Sequence, residues 1–277
     1  MGSEFIKRGI SLPSYVWSAQ LNLDAPEIIY KIHQEYIEAG SNYIISNTFR
    51  TTPRSYKKLG LSDNESEILA KSSLESAVTQ ARKSIKNNVK VLGSIAPLED
   101  CYKPELFPGI DVAKIEFSKI SQWLYDSRID IFLLETMNSI DETITCLEVI
   151  KNYDIPIWVS FVLLDEKHIL SGELLEDAIK EVEQFNVDVL LLNCNPINRT
   201  KITLKTLSEH WNKRWGIYPN IGIGEPNPDG IIHNAYSDED FMDLIEYSIS
   251  LGATILGGCC GSSPKHIQLI KNHLLDH

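Results

Sequence analysis

The sequence predicts a TIM-type (β/α)8 barrel, and three observations predict it. Short apolar runs alternate with amphipathic helical stretches along the whole chain. The residues able to do chemistry recur at the C-terminal ends of several different runs, and no Gly-x-Gly-x-x-Gly turn of a doubly wound sheet is present. A strand followed by a crossover helix and a parallel strand, repeated, means a parallel sheet covered by helices; eight such units close into a barrel.

The elements follow in order. Asp24-Ala25-Pro26-Glu27 reads as a capping box, after which Ile28, Ile29, Ile32 and Tyr36 share one helical face and Gly40 stops the helix. Tyr43 to Ile45 are a strand that ends in Ser46-Asn47-Thr48-Phe49. Ser62-Asp63-Asn64-Glu65 opens a long helix that turns Ile68, Leu69, Val78, Ala81 and Ile85 inward, and Lys90 to Ile95 are the next strand. Asp111 to Ser127 form a helix with Ile115, Ile120, Trp123 and Leu124 inward, followed by a strand over Ile131 to Leu134 that carries Glu135 at its end.

Ser139 caps the following helix, Ile157 to Val162 are a strand, Glu173 to Phe185 a helix and Asp188 to Asn193 a strand. A helix over about Thr200 to Asn212 leads to a short strand from Trp215 to Tyr218 and a turn-rich stretch from Pro219 to Gly230. Ser237 to Leu251 are a helix, Ala253 to Leu256 the last strand, and Ser263 with Pro264 opens the final helix to Leu275.

This count gives eight helices but seven strands, and the first strand of the barrel is missing from it. Met1 to Phe5 read as a cloning remnant, because Gly-Ser and Glu-Phe are what two common restriction sites encode. The residues around Met1 to Ile6 are expected to fill the gap incompletely, leaving unpaired edges that invite a homo-oligomer. The 277 residues are expected to make one barrel domain.

Composition narrows the function. Lys plus Arg number 26 against 38 Asp plus Glu, and a net charge of -12 repels nucleic acid and anionic membrane surfaces alike. No run reaches the length of a membrane span, and the five cysteines do not form a secreted disulfide framework, so a cytoplasmic location is expected. The histidines His33, His210, His273 and His277 are expected to be solvated.

Gly257-Gly258-Cys259-Cys260-Gly261 places two thiols where a strand hands over to a helix. Adjacent cysteines on such a turn are a vicinal disulfide, two inert thiols or two ligands of one soft metal. Cys194, in Asn193-Cys194-Asn195-Pro196 at the end of another strand, favours the metal. Three thiolates with a fourth position left to substrate are a catalytic zinc arrangement, whereas closed structural sites use four protein ligands. Cys101 and Cys146 have no partner pattern and read as buried thiols.

Several blocks together resemble the homocysteine S-methyltransferase family, which includes the S-methylmethionine and betaine enzymes. They are Lys7-Arg8-Gly9, Trp17-Ser18-Ala19, Asn47-Thr48-Phe49, Glu135-Thr136, Asn193-Cys194, Tyr218-Pro219-Asn220 and Gly257-Gly258-Cys259-Cys260-Gly261. The resemblance implies that Cys194, Cys259 and Cys260 hold Zn2+, that the substrate thiol is the fourth ligand, and that Glu135 holds the amino group of homocysteine. Asn47, Thr48 and Asn193 are candidate substrate-orienting residues, and each could equally be a turn former. No catalytic residue is expected beyond the metal site. The implied reaction is methyl transfer from a sulfonium or ammonium donor, S-methylmethionine in particular, to homocysteine, giving methionine. The alternative is a zinc-binding barrel of the same family without turnover. The departure is at the front, where family members carry a strand ending in Asp-Gly-Gly before the Lys-Arg-Gly block.

Overall fold

The computed structural model describes every residue except Asn87, 224–230, His233 and His277. Among these residues seven strands run in chain order: β1 (Tyr43–Ile45), β2 (Lys90–Ile95), β3 (Ile131–Met137), β4 (Ile157–Phe161), β5 (Val189–Pro196), β6 (Arg214–Asn220) and β7 (Ile255–Leu256). Each pairs in parallel with the next. Among the described residues β1 and β7 do not pair, so the sheet is a curled half-barrel of seven strands rather than a closed ring.

The eight expected helices are all present. They are α3 (Pro26–Ala39), α5 (Asp63–Ser84), α6 (Ile110–Asp126), α7 (Ile140–Ile150), α8 (Leu175–Glu183), α9 (Ile197–His210), α10 (Asp238–Ser250) and α11 (Pro264–Asp276). Among the described residues three short α-helices join them, α1 (Gly2–Lys7), α2 (Leu21–Asp24) and α4 (Pro53–Lys57), together with single 3-10 turns at Trp17–Gln20 and Pro104–Leu106. No helix among the described residues is long and apolar enough to cross a membrane.

Period-two alternation along the strands divides the core into two layers. Phe132, Leu134, Val159, Phe161, Leu190, Leu192 and Ile217 face the helices, while Leu92, Leu133, Trp158, Val189, Leu191 and Tyr218 pack inside the curl. Two strands break register near their C-terminal ends, β3 between Leu134 and Met137 and β5 between Asn193 and Pro196. Such breaks re-aim side chains, and these two fall on Glu135 and Cys194.

Several local expectations change. Asp24 does not cap α3: it ends α2 and accepts from Gln20 Nε2, and Ala25 takes the N-cap position. Ser139 is the N-cap of α7 but makes no side-chain capping bond; Glu173 Oε2 accepts from the Ile140 N–H instead. The Ser62 box forms as expected, and a second box joins Ser237 and Asp240. Ile68 and Ile115 are exposed, because the inward stripes run through Ala70, Leu74, Ala77 and Ala81 on α5 and through Ala113, Phe117, Ile120 and Leu124 on α6.

The first residues, set aside on sequence, belong to the fold. They form α1, whose Phe5 is fully buried against Ile29 and Ile32 of α3. Lys7 Nζ donates to the carbonyls of Gly261 and Ser262, and Ser3 Oγ accepts from the Gly261 N–H. His33, expected to be solvated, is buried on α3, and desolvation, with the N-terminal ammonium adding to it, lowers its imidazole to about 3.

Glu142 on α7 ties the fold to the rim, its Oε1 accepting from the Leu98 N–H at 2.8 Å and so holding the loop that follows β2. Burial pushes this carboxyl up from 4.5 to about 7, against the lowering effect of the Leu98 bond and Arg50. Between those values the folded chain binds a proton that the unfolded chain lacks, so stability falls as pH rises through the window. Glu142→Gln, which keeps an acceptor for Leu98, is therefore expected to stabilise the protein at pH 8 by on the order of 2–3 kcal/mol and to do nothing near pH 4.5. Urea denaturation at the two pH values checks this, and a gain confined to acid pH would refute it.

Candidate active site on the C-terminal rim

The C-terminal ends of the strands open into a cavity of about 1780 Å³. Cys194, Cys259 and Cys260 lie on its wall together with Glu135, Thr136, Asn47, Tyr218 and Trp158. The three Sγ atoms, from positions as far apart as 194 and 260 in sequence, all fall within 4.8 Å of one another. Cys194 and Cys259 are joined as a disulfide, and Cys260 Sγ is 3.7 Å from Cys194 Sγ. The pairing thus crosses from β5 to the turn after β7 and does not join the two adjacent cysteines.

Local backbone explains how the sulfurs meet. The Cys259 N–H donates to Pro219 O at 2.8 Å and the Ile221 N–H to Cys260 O at 2.9 Å, so the turn is strapped to the end of β6. Its glycines are required: Gly261 has φ +81, and a Cβ on Gly258 would stand 2.6 Å from that of Ser262. The Ser263 N–H donates to His266 Nδ1, which gives α11 a histidine version of the capping box. On the opposite strands no glycine is available. Thr136 has φ +60 and Cys194 φ +54, left-handed conformations that cost a non-glycine residue about 1–3 kcal/mol and that the surroundings must hold.

Glu135 is buried, and Ser94 Oγ donates to its Oε2 at 2.7 Å. Desolvation pushes its carboxyl above the usual carboxylate range, and the Ser94 bond offsets part of that. Tyr218, whose hydroxyl is held neutral by burial and by the charge of Glu135, lies close to Glu135 and Ser160, and among the described residues its Oη has no partner of good hydrogen-bond geometry. Trp158 Nε1 is likewise buried with no hydrogen-bond partner among the described residues, its ring 4.8 Å from that of Tyr43. A wall of buried, unused donors beside a carboxylate is the signature of a site for a polar ligand.

A sequence model described as homocysteine S-methyltransferase matches residues 1–274. The chain belongs to the homocysteine S-methyltransferase family. It is similar to homocysteine S-methyltransferase 2 of Arabidopsis thaliana, 26% identical over 100% of this chain and 91% of that one. The homocysteine S-methyltransferase of Escherichia coli strain K12 is 25% identical over 98% and 92%. A selenocysteine Se-methyltransferase of Brassica oleracea var. italica is 26% identical over 99% and 87%. Among solved structures, the metallated form of the homocysteine methyltransferase MmuM from Escherichia coli superposes with a TM-score of 0.85 at 23% identity, covering 99% of this chain and 93% of that one. Its oxidized form gives the same TM-score at 24% identity. At these identities the structural likeness speaks for the fold.

Within this homocysteine S-methyltransferase family member, three candidate substrate-orienting residues are already engaged by protein. Both amide hydrogens of Asn47 are used, on Ser18 O and Asn22 Oδ1, and its Oδ1 accepts from Ser18 Oγ at 2.7 Å. Thr48 Oγ1 donates to Ser94 O. Asn193 is wholly buried and bonded to Thr136 and Ser160. Asn47 still lines the cavity, while Thr48 and Asn193 lie behind its wall. Sequence reasoning did not single out Ser94, Ser160 or Trp158, which occur in apolar strand runs with no local signal; Tyr218 was visible only within a block.

Asn47 is therefore expected to matter first for stability. Asn47→Ala strands several buried partners around Ser18 and Asn22, each worth about 1–3 kcal/mol when left unmade. The expected outcome is a lowered midpoint in urea denaturation, and a variant as stable as the parent would return Asn47 to a purely substrate-facing role.

Proposed function

We propose that this chain transfers a methyl group to the thiol of homocysteine, with S-methylmethionine as donor and Zn2+ bound by Cys194, Cys259 and Cys260, within a single homocysteine-binding-type domain. The observation that carries the proposal is the convergence of three sulfurs within 4.8 Å on the same cavity wall as a buried carboxylate. The donor set fits the ion. Zinc–sulfur bonds of about 2.3 Å in tetrahedral geometry put sulfurs roughly 3.8 Å apart, and Cys194 and Cys260 stand at 3.7 Å. The Cys194–Cys259 pair must be reduced before it can serve.

When bound, the ion supplies the positive charge that converts a thiol of pKa about 8.5 into a thiolate at neutral pH. The chain's residues do the rest. Glu135, ionised, accepts hydrogen bonds from the acceptor's ammonium group, and burial strengthens that contact by lowering the local dielectric. Tyr218 Oη and Trp158 Nε1 offer donors to the acceptor's carboxylate, which would satisfy groups now unpaired. With the acceptor held at both ends, the donor's methyl must lie in line with the acceptor sulfur. The methyl–sulfur bond of the sulfonium breaks with its electron pair staying on the donor sulfur, now a neutral thioether. A new methyl–sulfur bond forms on the acceptor, and the thiol proton leaves to solvent.

Two measurements test this. Under reducing conditions the protein is expected to hold one zinc per chain and to form methionine from homocysteine and S-methylmethionine. Cys259→Ala should lose most of the metal and the activity while the barrel stays folded. Undiminished zinc in that variant by elemental analysis would remove the site.

For Glu135, loss of the charge-assisted contact is worth about 1.5–3 kcal/mol, so Glu135→Gln is expected to raise the homocysteine KM about 10- to 100-fold. Because burial raises its pKa, protonation on the acid side abolishes the carboxylate at a higher pH than for a solvated glutamate. Homocysteine binding should therefore weaken as pH falls through that raised value, and the limb attributable to Glu135 should vanish in Glu135→Gln. An identical acid limb in both proteins would assign it elsewhere.

A further inference from the structure

Two left-handed residues, Thr136 and Cys194, stand at the register breaks of β3 and β5, immediately after Glu135 and Asn193. Neither is a glycine, so something other than local preference holds them. One side chain lies between them. Asn193 Oδ1 accepts from the Thr136 N–H at 3.1 Å and from Ser160 Oγ at 2.5 Å, and Asn193 Nδ2 donates to Thr136 Oγ1 at 2.8 Å. The three residues belong to β5, β4 and β3, so a single buried amide reaches across two strand spacings. Its orientation is determined, because a backbone N–H requires the oxygen on that side.

We infer that Asn193 is a positioning residue that sets two functional groups at once. Through the Thr136 N–H it fixes the peptide that joins Glu135 to Thr136, and so the direction in which the Glu135 carboxylate enters the cavity. Through its own main chain it leads directly into Cys194, whose left-handed backbone turns the Sγ toward Cys260. The distance between carboxylate and sulfur is then a property of one rigid clamp. An acceptor that must reach both groups finds them preorganised, which is the role that outer residues play around metal and substrate sites. This inference rests on the reading of Glu135 and the cysteines given under Proposed function.

The clamp predicts linked losses. Asn193→Ala should weaken retention of Zn2+, read by competition with a chromogenic chelator, and weaken homocysteine binding, read by calorimetry on the zinc-loaded protein, each by about 10- to 100-fold. The distinguishing step is a second substitution. Thr136→Gly in the Asn193→Ala background lets position 136 take φ +60 without strain, so homocysteine binding should recover several-fold while zinc retention, which depends on Cys194, should not. A general loosening of the rim would not be repaired on one side only.

If Asn193→Ala fails to fold, Thr136→Val, which replaces the hydroxyl that accepts from Asn193 Nδ2 with a methyl, should weaken homocysteine binding several-fold with zinc retention intact. Unchanged binding of both ligands by Asn193→Ala, equal recovery of both in the double variant, recovery of neither, or wild-type binding by Thr136→Val would each overturn the clamp. Wild-type protein run alongside separates the two levels. If it binds neither Zn2+ nor homocysteine, the functional reading falls and takes the clamp with it; if it binds both and Asn193→Ala does too, the clamp alone is lost.

Discussion

Parallel main-chain pairing of each strand with the next in sequence is the constraint on which the rest of this structure depends. A parallel neighbour can be reached only by a crossover, and each crossover returns the chain to the same starting edge. The C-terminal ends of β1 to β7 therefore gather on one rim, with no choice left to individual residues. Glu135 from β3, Cys194 from β5 and the Cys259-Cys260 turn after β7 meet there although long helices separate them in sequence. The regular part of the ladder does the gathering. The two register breaks, at Leu134/Met137 and Asn193/Pro196, do the aiming.

The polar groups on and behind the cavity wall fall into two populations. Asn22, Asn47, Thr48 and Asn193 are bonded to one another or to main chain and Ser94 to Glu135, forming a scaffold that specifies a single arrangement of the rim. Tyr218 Oη and Trp158 Nε1 are buried beside that scaffold with no hydrogen bond of good geometry among the described residues. Leaving a donor unpaired in the interior costs free energy, so the second population is where a ligand gains most by binding. The same enclosure that raises the Glu135 carboxyl would strengthen its contact with a cation once both charges share it.

The N-terminal residues show how a site can recruit an element that carries none of its chemistry. Phe5 docks α1 on α3, and Lys7 and Ser3 bond the main chain of Gly261 and Ser262 next to the cysteine turn. The turn is thus held from one side by β6, through Pro219 and Ile221, and from the other by α1. These restraints act on main chain and leave the cysteine side chains out of them.

The sequence by itself determined the order and type of the seven strands and eight longer helices, though not α1, α2 or α4, because hydrophobic period, helix stops and capping boxes are written within a few residues of where they act. It also singled out Cys194, Cys259 and Cys260, since an adjacent pair on a glycine turn and a third at a strand end form a pattern visible in residue types alone, and the fold brings these three sulfurs together. Only the tertiary structure decided what Ser139 and Asn193 do, because a short polar side chain bonds whichever partner folding brings nearest: Glu173 displaced Ser139 at its helix, and Thr136 and Ser160 took Asn193. It likewise decided that Phe5 and His33 are buried and that Ile68 and Ile115 are not. Burial is fixed by what packs over a residue from elsewhere in the chain, and that information is absent from the residue's own neighbourhood in sequence.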